Sequence, residues 1–216
     1  MALLTLLGGV ISTPAFAQSH DSPTTPWRIY VGAAHLQLPS DATIKVMGEV
    51  VPGGSIKTSS NETMVFGAIY QFTPYISGEV EGGIPPTTTI RGKGTLESAG
   101  VLGKATYGPA VATMRFSPLP DVRIRPYIGV GASWMIVFNS KDAFVKDLKI
   151  KNAIGPVAQI GLDIPINPRW SAVIDVKKVW FDTKAKGSLP AMGDAPMRAD
   201  IDVDPLVTSL SLAYHF

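Results

Sequence analysis

Cysteine is absent, and with it go disulfide scaffolds, thiolate metal sites and cysteine nucleophiles. Charge is scarce: 17% of the 216 residues are charged, where about 25% is usual for a soluble domain. The net charge of +2 comes without a dense Lys/Arg cluster, so the grip on phosphates that a nucleic-acid binder needs is missing. His20, His35 and His215 are the only histidines, and they lack metal-ligand spacing. No glycine-rich loop leads from a strand into a helix, which removes nucleotide binding. Beyond the first 17 residues no apolar run reaches the roughly 18 residues of a helical membrane span. Neither a metal nor a cofactor is expected.

What is present begins with "MALLTLLGGVISTPAFA". An apolar stretch from Ala2 to Ile11 is followed by Pro14 and by small residues at Ala15 and Ala17. This pattern predicts an export signal over residues 1–17, cut after Ala17, although its usual positive start is missing. A short segment, 18–26, then leads into a single β domain over 27–216.

Alternation governs that domain. In "RIRPYIGVGASWMIVF" (123–138) one face reads Ile124, Pro126, Ile128, Val130, Ala132, Trp134, Ile136, Phe138, and the other mixes arginine, glycine and small residues. The same rhythm marks eight segments: 27–37, 62–73, 75–84, 104–117, 123–138, 155–165, 169–182 and 203–216. A phase slip past Lys177 predicts a bulge in the seventh. Short turns near Pro74, at 117–121 and at 166–168 alternate with long connections over 38–61, 85–103, 139–154 and 183–202. Short turns at one end and long loops at the other predict an all-β, eight-stranded, antiparallel up-and-down transmembrane β-barrel with periplasmic turns and extracellular loops.

Two barrels share this alternation. A secreted lipocalin-like carrier turns its apolar face inward; a membrane barrel turns it outward. The polar faces carry Glu79, Glu81, Arg123, Arg125, Asp163, Asp175 and Lys177. Facing lipid, a midplane Arg or Lys would cost about 2–4 kcal/mol. The membrane reading therefore sends all seven into the lumen as a plug. Aromatic residues gather at strand ends: Trp27, Tyr75, Trp170, Tyr214 and Phe216 on the short-turn side, Phe138, Trp180 and Phe181 near the long loops. They predict two interfacial girdles.

The last eight residues, "SLSLAYHF", resemble the assembly signal of Gram-negative outer-membrane barrels, with Ser209, Tyr214 and Phe216 matching and Ser211 standing where glycine is usual. That resemblance implies recognition by the barrel-assembly machinery through Tyr214 and Phe216. "YGPAVATMRF" (107–116) and "RPYIGVGASWMIVF" (125–138) resemble the OmpW/AlkL family, over about Trp27 to Phe216. The resemblance implies an outer-membrane barrel surrounded by lipid and lipopolysaccharide, and passive uptake of small hydrophobic ligands. It equally allows a structural or receptor barrel, for a bacteriocin or phage, without transport.

Eight strands enclose little free space, so a wide aqueous pore is excluded. A hydrophobic molecule would need to enter among the long loops and leave sideways. Prolines remove ladder donors, and Pro109, Pro85 and Pro86 mark a candidate lateral exit; prolines tolerated at strand ends are the alternative. Leu36, Leu38, Met47, Val50, Phe144 and Leu148 are candidates for the entry path, or for loop packing. Phe144, Val145 and Leu148 have the spacing of a short amphipathic helix within 142–150. Lys141, Lys146, Lys149 and Lys151 could meet lipopolysaccharide phosphates or simply stay solvated. No catalytic residue is expected; His35 with Ser40 and Asp41 reads as ordinary loop polarity.

Overall fold

In a computed structural model of the protein, residues 25–216 are described. The expected export signal and most of the 18–26 segment fall outside the described residues, as does His20. The strands are β1 (Trp27–Gln37), β2 (Ser40–Val46), β3 (Glu49–Val50), β4 (Gly54–Thr58), β5 (Asn61–Gln71), β6 (Ile76–Gly83), β7 (Thr87–Gly94), β8 (Val101–Phe116), β9 (Arg125–Asp142), β10 (Lys146–Ile150), β11 (Ala153–Asn167), β12 (Trp170–Val179), β13 (Phe181–Leu189), β14 (Ala195–Val203) and β15 (Leu206–His215).

Eight of them close a ring in the order β8-β6-β5-β1-β15-β12-β11-β9, with β9 returning to β8. Every neighbouring pair is antiparallel. These are the eight segments marked by alternation. β15 lies between β1 and β12, with Tyr214 opposite Ile29 on one side and Trp170 on the other. Closure of this kind leaves no open edge in the bilayer.

The apolar faces look outward. Ile128, Ile160 and Leu212 are exposed on the outer wall, Val130 is 67% exposed, and Arg115 behind them is 1% exposed. An inward-facing carrier cannot carry such a band. The lower girdle is built from edge-to-face pairs: Trp27–Tyr70 at 4.8 Å and Trp170–Tyr214 at 4.9 Å between ring centroids. Trp134, Phe138 and Trp180 are exposed on the upper side. Phe181 corrects the expected girdle: it is 4% exposed and turned into the lumen.

The long connections are strands, not loops. β7 runs along the upper half of β8, with β4 beyond it, while β10-β13-β14-β2-β3 form a second sheet. Alternation carries on through them. In β14, Ala195, Met197, Ala199, Ile201 and Val203 are buried, and Pro196, Arg198, Asp200 and Asp202 are exposed. Small alanines and charged partners blur that pattern in the sequence. The two sheets face each other above the membrane around one apolar core.

Two local expectations also change. No bulge follows Lys177: Ser171, Val173, Asp175, Lys177, Val179 and Phe181 are all buried, and β12 stays in register with β11 as far as Val179. The inward face turns from polar to apolar at Val179, and that change imitates a phase slip. Residues 142–150 form a bend and β10, not a helix. The Asp142 carboxylate accepts from the backbone N–H groups of Asp147 (2.9 Å) and Leu148 (3.0 Å), and Asp147 has a left-handed φ of 51°.

Candidate functional site

The lumen has two storeys. The lower one is a charged plug. Lys177 lies 2.9 Å from Asp175, 3.0 Å from Glu81 and 3.3 Å from Glu79. Arg115 pairs with Glu79 at 3.3 Å, and its guanidinium lies 3.5 Å over the Tyr127 ring. The Tyr30 hydroxyl reaches Glu79 and Glu81 at 2.6 and 2.8 Å, Gln159 donates to Glu79 at 3.1 Å, and Tyr127 donates to Asp175 at 2.5 Å. Arg28 pairs with Asp163 below them. Ordinary strand parity aims these side chains inward from six walls. Two glycines make room for the rings. A side chain at Gly67 would meet the Tyr30 ring 2.6 Å away, and one at Gly161 would overlap the ring of Tyr127.

The structure brings Glu79, Glu81, Asp175 and Lys177 together in the lumen, and sets Asp163 below them with Arg28. Arg125 is half-buried and lines the lower mouth with Arg28, Asp163 and His215. Arg123 corrects the plug: it is exposed in the turn before β9 and never enters the wall. Arg28, Arg115, Tyr30, Tyr127 and Gln159 complete the network. Parity pointed to them in the sequence, since each alternates with outward apolar residues.

Above the plug the lumen is apolar. A cavity of about 40 Å³ is lined by Leu36, Leu38, Val111, Met135 and Phe181 above Glu81 and Lys177, with Pro109 at its side. A second, of about 50 Å³, lies among Leu38, Ile56, Tyr107, Met135 and Ile201. Leu36, Leu38 and Leu148 belong to this core. Met47, Val50 and Phe144 do not. Met47 is 72% exposed in a two-residue turn with Gly48, between the paired residues Val46 and Glu49. Both turn residues have positive φ, 53° and 92°. This is the geometry of a tight hairpin, which points its tip into water. Val50 and Phe144 are exposed as well.

The wall of the barrel is interrupted beside Pro109. The β6–β8 ladder ends at Gly82–Ala110, and the β7–β8 ladder begins at Thr87–Thr106. Between them stand Tyr107, Gly108 and Pro109 on one side and Gly83 to Pro86 on the other. The Tyr107 N–H donates to the Pro86 carbonyl at 3.2 Å. Residues two apart in a strand direct their N–H groups to the same side. An N–H at position 109 would thus point into the seam, and proline has none. On the lipid side, next to the seam, Gly82, Ala110, Ala112 and Ala132 floor a groove of about 830 Å³ edged by Phe66, Val80 and Trp134.

His35 stands 4.0 Å from Glu62, and Asp41 accepts from Ser55 at 3.4 Å. Neither contact brings His35 and Asp41 together.

The profile of the OmpW family matches residues 28–216. The dibenzothiophene metabolism operon protein DoxH of Pseudomonas sp. strain C18 is 33% identical over 207 residues, 95% of this chain and 93% of that protein. Outer membrane protein AlkL of Ectopseudomonas oleovorans is 27% identical over 173 residues, 80% and 74% of the two chains. Among solved structures, OprG of Pseudomonas aeruginosa superposes with a TM-score of 0.84 at 22% identity, over 91% of this chain and 98% of that one. AlkL, solved in lipid bilayers, gives 0.70 at 22% identity, over 99% and 97%. With its outward apolar band, closed ring of eight strands and family match along nearly the whole described chain, this protein belongs to the OmpW family of Gram-negative outer-membrane β-barrels.

Proposed function

We propose that the protein admits small hydrophobic molecules through its apolar upper storey and releases them sideways into the membrane at the Pro109 seam. The observation that carries this reading is a coincidence of position. The floor of the apolar storey, Glu81 and Lys177, lies at the same cavity as Pro109, where the ladder lacks its donor. A molecule without polar groups gains nothing from the plug and would leave its ion pairs unsatisfied by displacing them. The way down is closed to it, and the way out runs mostly between apolar side chains. The voids of about 40 and 50 Å³ make the resting path narrow. Passage then requires Leu36, Leu38 and Phe181 to change rotamer around the guest. The name of one relative, a dibenzothiophene metabolism operon protein, accords with an apolar cargo.

Pro109→Thr restores an N–H at the seam. In lipid vesicles it is expected to lower uptake of an apolar fluorescent probe several-fold while leaving heat-modifiable migration in detergent unchanged. Undiminished uptake by the folded variant removes the lateral route. If wild-type vesicles take up no more probe than empty ones, a receptor barrel without transport replaces the reading altogether.

A further inference from the structure

The outer face of the second sheet carries two opposed tiers of charge. Cross-strand register sets Lys149 opposite Lys186, Lys186 opposite Arg198, and Arg198 opposite Lys45. Four cations thus stand in one row across β10, β13, β14 and β2, about 4.8 Å from strand to strand. Two rows nearer the membrane, Asp182 is opposite Asp202, and Asp202 opposite Asp41. Like charges directly opposite each other destabilise a sheet. Relief within the chain is small. Lys45, Lys149, Lys151, Lys184, Lys186 and Arg198 line one groove of about 780 Å³ with a single carboxylate, Asp200, which lies 3.3 Å from Lys184 and 4.0 Å from Lys45.

We propose that this groove binds the phosphate groups of lipopolysaccharide, on the saccharide that stands above its lipid anchor. Charge sets the class of ligand: six cations against one acid in a groove select a polyanion, and the extended ends of Lys and Arg suit phosphate oxygens. Height sets the source. Trp180 is exposed at the upper edge of the apolar band, and Lys186 lies six residues beyond it on the same run of chain. That distance is about 20 Å along a strand and less along the membrane normal. The row therefore stands just outside the headgroup layer, beside outer-leaflet saccharide. The acidic tier below repels phosphate and holds it at the level of the cations. A second copy of the protein is a poor occupant. Two barrels in one membrane stand upright together, so cation row would meet cation row and acid would meet acid.

Lysines at 149 and 151 were legible as phosphate contacts. The others that line the groove, Lys45, Lys184, Lys186 and Arg198, lie up to about 105 positions from these two in sequence and are gathered only by the sheet.

The full chain in phosphatidylcholine nanodiscs tests the proposal, with intact lipopolysaccharide, the same material stripped of phosphate, and soluble inorganic polyphosphate as probes. Intact lipopolysaccharide is expected to bind, and the double variant Lys186→Gln/Arg198→Gln to bind it about thirtyfold more weakly, from roughly 1 kcal/mol for each cation near a charged surface. Lys186→Arg is expected to keep the affinity. Without ligand, the double variant is expected to unfold at a temperature equal to or above that of the wild type, because it removes repulsion. That opposite sign separates a binding row from a structural one. Equal binding of the stripped material, or unchanged affinity in the folded double variant, overturns the proposal. Polyphosphate binding as tightly as lipopolysaccharide overturns the lipid source.

Discussion

Lys177 is the residue on which the plug turns. Three carboxylates, Glu79, Glu81 and Asp175, lie within 3.3 Å of its ammonium group, and it is buried with them. A buried ion pair adds little net stability, but removing one partner leaves charges that neither water nor counterion can reach. Lys177→Met is thus expected to destabilise the barrel by about 3–5 kcal/mol, read as a shift in urea unfolding followed by tryptophan fluorescence in vesicles. An unchanged midpoint would mean that water enters the lower storey freely. Tyr30 and Tyr127 serve the same network by donating to carboxylates, and each owes its place to a glycine on a facing strand. In sequence, Gly67 and Gly161 look like two of many small residues. Only the rings directly opposite them on the neighbouring paired strands give them a purpose.

At the level of elements, the proposed passage depends on which apolar residues the hairpins above the membrane turn inward. Leu38 follows β1 and points into both small cavities, while Met47 sits at the tip of the β2–β3 turn in water. Leu38→Ser places a hydroxyl in the apolar path and is expected to lower uptake of an apolar probe roughly tenfold. Met47→Ser is expected to leave uptake unchanged. Vesicle uptake rates of the two variants side by side check the pair, and equal loss in both would put the entrance at the hairpin tips instead. The sequence offered both residues as equals. Hydrophobicity within a long connection does not say whether the connection folds back as a strand, and parity is then read from the wrong starting point. The same error made a helix of 142–150, where Phe144, Val145 and Leu148 have helical spacing. The backbone bonds to Asp142 and the left-handed Asp147 turn that stretch into a bend and a strand.

For the whole molecule the deciding energy is that of charge against hydrocarbon. Val130 stands in the lower half of β9, and its side chain faces lipid. Val130→Lys is expected to cost about 2–4 kcal/mol in a bilayer, measured by unfolding in vesicles, and much less in a shorter-chain detergent that lets the ammonium reach water. Equal stability in both media would place Val130 outside the hydrocarbon.

The same energy explains what could be read in advance. Eight strands, their limits within a few residues and the side of each that faces lipid follow from alternation, because a one-residue shift would drive Glu79, Asp163, Asp175 and Lys177 into acyl chains. These are local decisions of the chain, repeated eight times. The upper storey had no such rule. With water on its outer face, either parity is tolerable strand by strand, and the choice falls to packing between two sheets that are distant in sequence. The open ladder at Pro109 and the row of cations from Lys149 to Lys45 are products of register between strands. Register belongs to pairs of segments, and only the tertiary structure brings those pairs together.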